Sequence, residues 1–538
     1  MRSLSTIALG LTLLTVLADA AAAQGGWDTV KQRELGLEYK MARDYEAIPV
    51  DPLEEFVVLI YQAELPRDED LREEYKAYTP RLEFVLIDHS LGVATPVSGE
   101  LPPPPPPADG DEEPPAEEEA EEERPAPPPP INNLDRYVER RARGWSFGLT
   151  TEHKDVDGYT LTEYEFLPER GELLGTVYAF SDNERTLALV GTAHAEHFEN
   201  HKDIWDAIVR KMELSEPDTS RQDKEDAKLL AAYERKGYLD PEFRVEARRS
   251  LPKGWKATDT DNYILVYSTK DQPLLRLIER ELEAIRKTYE ELFPPVAPVT
   301  AVSRVRICKD RDEYFAYGGP KGSGGYWNWM AEELVFYDYA NVDGQAGTGK
   351  ANSRIVLYHE AFHQYIFYSA GSFSPHSWFN EGHGDYFSGA KISGGKVKLI
   401  KPSPWRVGTA KGMIENERTV PWEEIIRWSQ REYYGKNERK QSMGLNYAQG
   451  WSMIYFLRES KVAQRHEVWS GILDRYFETL RDGYNGGLAE LEAEGKAGDG
   501  KAVRDMEQAA LTKAVDVAFE GVDFEELEAE WKEYILGL

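Results

Sequence analysis

Two histidines one helical turn apart, with a glutamate beside the first, are the residues of this 538-residue chain best placed to do chemistry. They lie in Ile355-Val-Leu-Tyr-His-Glu-Ala-Phe-His-Gln-Tyr-Ile-Phe367, an apolar stretch with helical continuity and a stop at Gly371. On a helix, His359 and His363 leave the same face, so both imidazoles can bind one ion. Glu360 projects beside them. It is badly placed for a ligand and well placed to take a proton from a water held by that ion. The spacing points to one Zn2+ per chain, although taken alone it also occurs in purely structural helices.

Trp378-Phe-Asn-Glu-Gly-His-Gly-Asp-Tyr-Phe387 opens a second helix and puts Glu381 eighteen positions after His363. H-E-x-x-H followed by W-x-N-E-G-x-x-x-Y-F resembles the gluzincins, the zinc-peptidase clan of thermolysin and the aminopeptidase N family. That resemblance implies that Glu381 is the third ligand, leaving the fourth position to water, as a catalytic zinc requires. Two imidazoles and a carboxylate also suit cobalt or manganese. The resemblance further implies that Asn380 and Asp385, in N-E-x-x-x-D, support the histidines; an acid on the far N–H of an imidazole fixes its tautomer. Asn446-Tyr-Ala-Gln-Gly-Trp-Ser-Met-Ile-Tyr-Phe-Leu457 resembles the Y-x-x-G helix start of the aminopeptidase N family, whose tyrosine stabilises the oxyanion. Tyr447 is then an electrophilic donor or a structural tyrosine capping a core helix. Gly318-Gly-Pro-Lys-Gly-Ser-Gly-Gly-Tyr-Trp327 leads to a strand at 334–337. In gluzincins the strand before the zinc helix borders the cleft and pairs with substrate, so Gly324, Gly325 and Tyr326 either shape that substrate-binding edge or form a flexible turn. The G-x-M-E-N exopeptidase motif is missing, which argues against N-terminal trimming. Over residues 256–460 the chain resembles a family of exported bacterial gluzincin-like proteins.

The elements that must position these groups are legible upstream. A strand at 263–267, an amphipathic helix at 274–292 ended by Pro294-Pro295, and strands at 302–307 and 334–337 precede a mainly helical remainder. The class is α+β. For 256–538 the resemblance implies a zincin catalytic domain, a short mixed sheet followed by a helical subdomain. Residues 216–255 read as a charged helical connector, with opposite charges three and four apart. Residues 24–215 read as a small N-terminal α+β domain with strands at 35–39, 55–61, 146–150, 173–178 and 186–190 and a helix at 195–212. An early apolar strand, a meander and a closing helix resemble the PsbP-like fold of exported proteins. Residues 101–130 interrupt this domain with proline runs and ten acids against one base, so the segment has too little to bury and reads as a stiff disordered spacer.

Three further features read as structural. His194, His197 and His201 have helical spacing but no fourth ligand, and are expected on an exposed polar helix face. Gly344-Gln-Ala-Gly-Thr-Gly-Lys350 imitates a phosphate-binding loop, yet Ala351 stands where the magnesium-binding hydroxyl belongs. Cys308, the single cysteine, lies in an alternating strand and is expected to be a small buried apolar residue.

An apolar run at 7–17 after Arg2, ending in small residues at 18–23, reads as a secretory signal peptide over 1–23, with cleavage near Ala23 or Ala20. No later segment is apolar enough to insert in a membrane. Export to the periplasm or outside the cell is expected, and one cysteine closes no internal disulfide there. With 64 basic and 96 acidic residues, a net charge of −32 argues against nucleic acid as a partner. The expectation is a secreted zinc metallopeptidase, a hydrolase acting on a peptide or protein, with the N-terminal domain available to recruit a protein partner. The alternatives are a catalytically silent gluzincin scaffold that binds peptides, and a zinc hydrolase of a non-peptide substrate.

Overall fold

A computed structural model describes residues 26–54, 56–65, 79–89, 132–134, 136–137, 145–147, 151–156, 158–168, 173–320, 322–339 and 349–538. The segment 1–23 read as a signal peptide, the 101–130 insert and most of the phosphate-loop imitation lie outside these residues. The protein is mixed α+β with several sheets. Its described residues form two compact units, one reaching residue 235 and including 250–253, the other comprising 236–249 and 254–538. The division falls inside the charged connector.

In the first unit, strands β1 (Trp27–Gln32), β2 (Leu37–Ala42), β3 (Tyr45–Ile48), β4 (Val57–Ala63), β5 (Arg81–Asp88), β6 (Trp145–Phe147), β7 (Thr151–Val156), β8 (Tyr159–Pro168), β9 (Leu173–Ser181) and β10 (Arg185–His194) precede helix α1 (Phe198–Arg210) and the short strand β11 (Glu213–Leu214). The main sheet is antiparallel in the order β3-β4-β5-β10-β9-β8-β6, with β7 also on β8. Alternation puts Leu82, Phe84, Tyr178, Phe180, Leu187 and Leu189 on one face, against Trp205 and Ile208 of α1 and Tyr39 of β2. Val85, Ile87, Val177, Ala179 and Ala188 fill the other face with Leu134 and Tyr137. Gly191 permits the α1 contact, since a Cβ there would fall 2.4 Å from the Trp205 ring.

This unit corrects the expectation for its histidines. His194 ends β10 rather than sitting on the helix, and both it and His201 are buried. His201 Nδ1 lies 2.8 Å from the Tyr45 hydroxyl, its ring stacks on Trp205, and burial pushes its pKa down to about 4. The helix itself forms over 198–210, but it points His201 at the sheet, because the sheet needs the apolar face carrying Ile204, Trp205 and Ile208.

Two helices, α2 (Ser220–Lys236) and α3 (Pro241–Arg249), form the connector. The second unit then builds a five-stranded sheet from β12 (Lys256–Asp259), β13 (Tyr263–Tyr267), β14 (Ser303–Cys308), β15 (Gly325–Asn328) and β16 (Glu333–Tyr337), with helices α4 (Gln272–Leu292) and α5 (Arg311–Ala316) between them. Its order is β12-β13-β14-β16-β15; the three central strands are parallel and both edge strands antiparallel. Asp271 caps α4 by accepting from the Leu274 amide at 2.9 Å, with Pro273 in the first turn. The buried stripe of α4 is Leu274, Ile278, Leu282, Ile285 and Tyr289, packed on Leu265, Val305, Ile307 and Phe336. Cys308 is buried at the end of β14, and burial raises its thiol pKa well above the usual value.

The remainder is α6 (Gly349–Ser369), α7 (Ser377–Ser388), a hairpin of β17 (Ala390–Ser393) and β18 (Lys396–Ile400), and helices α8 (Pro404–Glu415), α9 (Trp422–Ile425), α10 (Gln430–Tyr433), α11 (Met443–Glu459), α12 (Lys461–Arg465), α13 (Ile472–Ala493), α14 (Gly500–Ala518) and α15 (Phe524–Gly537). Helix α7 is buried along most of its length between α6 and α11. No helix among the described residues is long and apolar enough to cross a membrane.

Candidate metal centre

Helix α6 turns Leu357, Tyr358, Ala361, Phe362 and Tyr365 into the core, which leaves His359, Glu360 and His363 on the opposite face. Helix α7 crosses that face and delivers Glu381. His359 Nε2 lies 3.0 Å from Glu381 Oε2, and His363 Nε2 lies 3.2 Å from the same oxygen. The three donor atoms all fall within 4.8 Å of one another. Donors about 2.0–2.1 Å from a tetrahedral ion stand about 3.3 Å apart, so this set fits a small divalent cation with little movement.

Both glycines of Asn380-Glu-Gly-His-Gly384 are needed for the crossing. A Cβ on Gly382 would fall 2.7 Å from the Gly450 carbonyl on α11, and one on Gly384 would fall 2.9 Å from the His359 ring. The motif therefore thins α7 on two sides, towards α11 and towards the first histidine.

Each of these three side chains is also held from behind. Asn380 Oδ1 lies 2.8 Å from His363 Nδ1, and Asp385 Oδ1 lies 3.4 Å from His359 Nδ1. Both contacts favour a proton on Nδ1, which turns the Nε2 lone pair to the centre. Glu381 Oε1, the oxygen facing away, accepts from the Tyr434 hydroxyl at 2.6 Å. Arg406 on α8 grips Asp385, with Nη2 donating to Oδ1 at 3.1 Å and Nε 2.7 Å from Oδ2. Sequence reasoning found Asn380 and Asp385 and missed Tyr434 and Arg406, which no spacing pattern ties to the histidines.

Burial would depress both imidazole pKa values, but it is outweighed. Hydrogen bonds to Asp385 and Glu381 raise His359 well above its usual value, and the Glu381 charge raises His363. Burial would likewise raise Glu381, yet the two imidazoles hold it well below the carboxylate range. Glu360 is different: burial raises it, only partly offset by His359 and His363. The backbone N–H of Trp327 in β15 also works against that rise. A buried acid with raised pKa beside a cation site is suited to accept and return a proton.

The edge expected at 334–337 needs correcting. β16 lies inside the sheet, between β14 and β15, and the strand at the edge is β15, which the sequence presents only as a glycine-rich lead-in. Gly325 lets this strand lie on α6, since a Cβ there would fall 2.5 Å from Val356, and Gly324 just before it passes the Tyr339 hydroxyl, 1.8 Å from where a Cβ would stand. They are thus close-contact glycines rather than a flexible turn. Tyr326 packs its ring near Tyr314, 6.0 Å between centroids. Tyr447 stands on the second turn of α11, past its cap at Ser442, so it does not cap the helix. Its ring runs parallel to that of His359 at 6.4 Å between centroids and stacks on that of Tyr434 at 6.2 Å.

No protein-family model matches the chain, and no curated protein matches it as a relative. Among solved structures, that of cyanobacterial PsbP (CyanoP) from Synechocystis sp. PCC 6803 matches at 10% sequence identity, covering 36% of this chain and 96% of that one, with a TM-score of 0.23. A superposition that loose supports no conclusion about either unit.

Proposed function

We propose that this chain is an exported zinc metallopeptidase of the gluzincin type, with one zinc on His359, His363 and Glu381. The observation that carries the reading is the convergence of two imidazoles and a carboxylate beside a buried glutamate, each ligand being held from behind by its own partner. Zinc in such a site supplies Lewis acidity and brings the pKa of a water towards about 7. Glu360 accepts a proton from the attacking water and returns it to the leaving amine, its raised pKa suiting it to both transfers. Tyr447 serves as the donor to the developing oxyanion, and the outer edge of β15 receives an extended peptide. The second unit is read as a zincin domain. The first is read as PsbP-like, on its antiparallel sheet closed by a helix.

Glu360→Gln separates chemistry from binding. The variant is expected to keep its zinc and to lose cleavage of fluorogenic casein by about 100-fold or more. Undiminished, chelator-sensitive hydrolysis by the variant would refute the role given to Glu360.

A further inference from the structure

We infer that Arg406 is a positioning residue for the metal centre, holding the Asp385 carboxylate in the plane that orients His359. The inference rests on the proposed zinc site. Arg406 reaches Asp385 from α8, a helix that contributes no ligand, hydrogen-bonding Oδ1 through Nη2 and standing 2.7 Å from Oδ2 through Nε as an ion pair. Two contacts fix the rotation of a carboxylate as one does not, and a planar guanidinium is the side chain suited to that. The fixed Oδ1 is the atom that faces His359 Nδ1. Arg406 is itself gripped on both sides: its guanidinium lies 4.1 Å from the ring centroid of Trp405 and 5.3 Å from that of Tyr447. One cation thereby links α8, the ligand helix α7, and the tyrosine of α11 that lies along His359. Trp405 is largely exposed, so Arg406 is also where the outer surface meets the orientation of the first ligand.

The test is a double-mutant cycle on zinc affinity, measured by competition with a chromophoric chelator on the full mature chain. Arg406→Met is expected to weaken zinc about tenfold, at the lower end of the range for partners that orient a ligand. Arg406→Lys restores the charge without the fork and is expected to recover part of the loss. In the Asp385→Asn background, Arg406→Met is expected to add less than about twofold, because its effect passes through that carboxylate. Visible absorption of the cobalt-loaded protein gives a second readout: Arg406→Met and Asp385→Asn are expected to shift the bands alike, and Arg406→Lys less. Wild-type affinity and spectrum in both Arg406 variants would overturn the inference while leaving the zinc site standing. An equal loss in the two backgrounds would overturn it too, by showing that Arg406 acts without Asp385. A wild-type chain that binds no zinc would remove the site and the inference together.

Discussion

Replacing Gly384 by alanine tests whether the α6–α7 crossing sets the metal site. A Cβ at this position falls 2.9 Å from Cε1 and Nδ1 of His359 and 3.1 Å from Cγ. Normal contact is about 3.5 Å or more, so the imidazole must retreat by about 0.6 Å. It cannot do so and keep both Glu381 at 3.0 Å and Asp385 at 3.4 Å. Fold stability should change much less. Glycine to alanine inside a helix gains about 1 kcal/mol and overpacking costs about 1–3 kcal/mol, leaving a net loss of about 2 kcal/mol at most. Displacing a ligand beyond a tolerance of about 0.5 Å should weaken zinc by about 10- to 100-fold. Chelator competition measures the affinity, and thermal unfolding in excess chelator measures the fold. Gly486→Ala is the control, because a Cβ on that glycine of α13 meets nothing within 4 Å. The expected result is weakened zinc in Gly384→Ala alone, with metal-free unfolding lowered by only a few degrees. Wild-type affinity in a folded Gly384→Ala protein would refute the reasoning.

Removing the Tyr434 hydroxyl with Tyr434→Phe deletes a charge-assisted hydrogen bond to Glu381 of about 2 kcal/mol, so zinc affinity should fall about thirtyfold; an unchanged affinity would show that the contact does not hold the ligand. Tyr447→Phe should retain zinc and reduce kcat about 100-fold with little change in KM, whereas unchanged kcat would make Tyr447 a core residue only. His201 is held neutral by burial, its pKa down at about 4, so the unfolded chain takes up its proton at higher pH than the folded one. The stability it supports is therefore complete above pH ~6.5 and is lost as pH falls towards about 4, by about 3 kcal/mol in all. Ring-proton shifts followed by NMR should show His201 titrating near 4, and a midpoint above about 6 would contradict its buried placement.

The site is readable in the sequence where chemistry and local geometry coincide. One helical turn between His359 and His363 dictates a shared face whatever surrounds the helix, and the strand at 263–267 announces itself by an aromatic and β-branched run, that at 302–307 by alternation. Residues brought in from a distance leave no such trace. Tyr434 follows a capping box at Ser429 and Glu432, which signals a helix start but says nothing of Glu381, 53 positions earlier. Arg406 sits in an ordinary Pro-Trp-Arg stretch, and only packing of α8 on α11 brings it to Asp385. β15 is hidden for another reason: glycines weaken a strand pattern, yet Gly324 and Gly325 are what close packing on Tyr339 and α6 demands. His201 escapes sequence reasoning because helical spacing gives a residue its face, while the sheet beneath decides which face is buried.

Elemental analysis of the purified mature chain tests the central claim most directly, with Glu381→Ala as its partner. One zinc per wild-type chain and less than about a tenth of that in a folded Glu381→Ala protein is the expected result. Absence of zinc from the wild type, or equal zinc in both proteins, would contradict a metal centre at His359, His363 and Glu381.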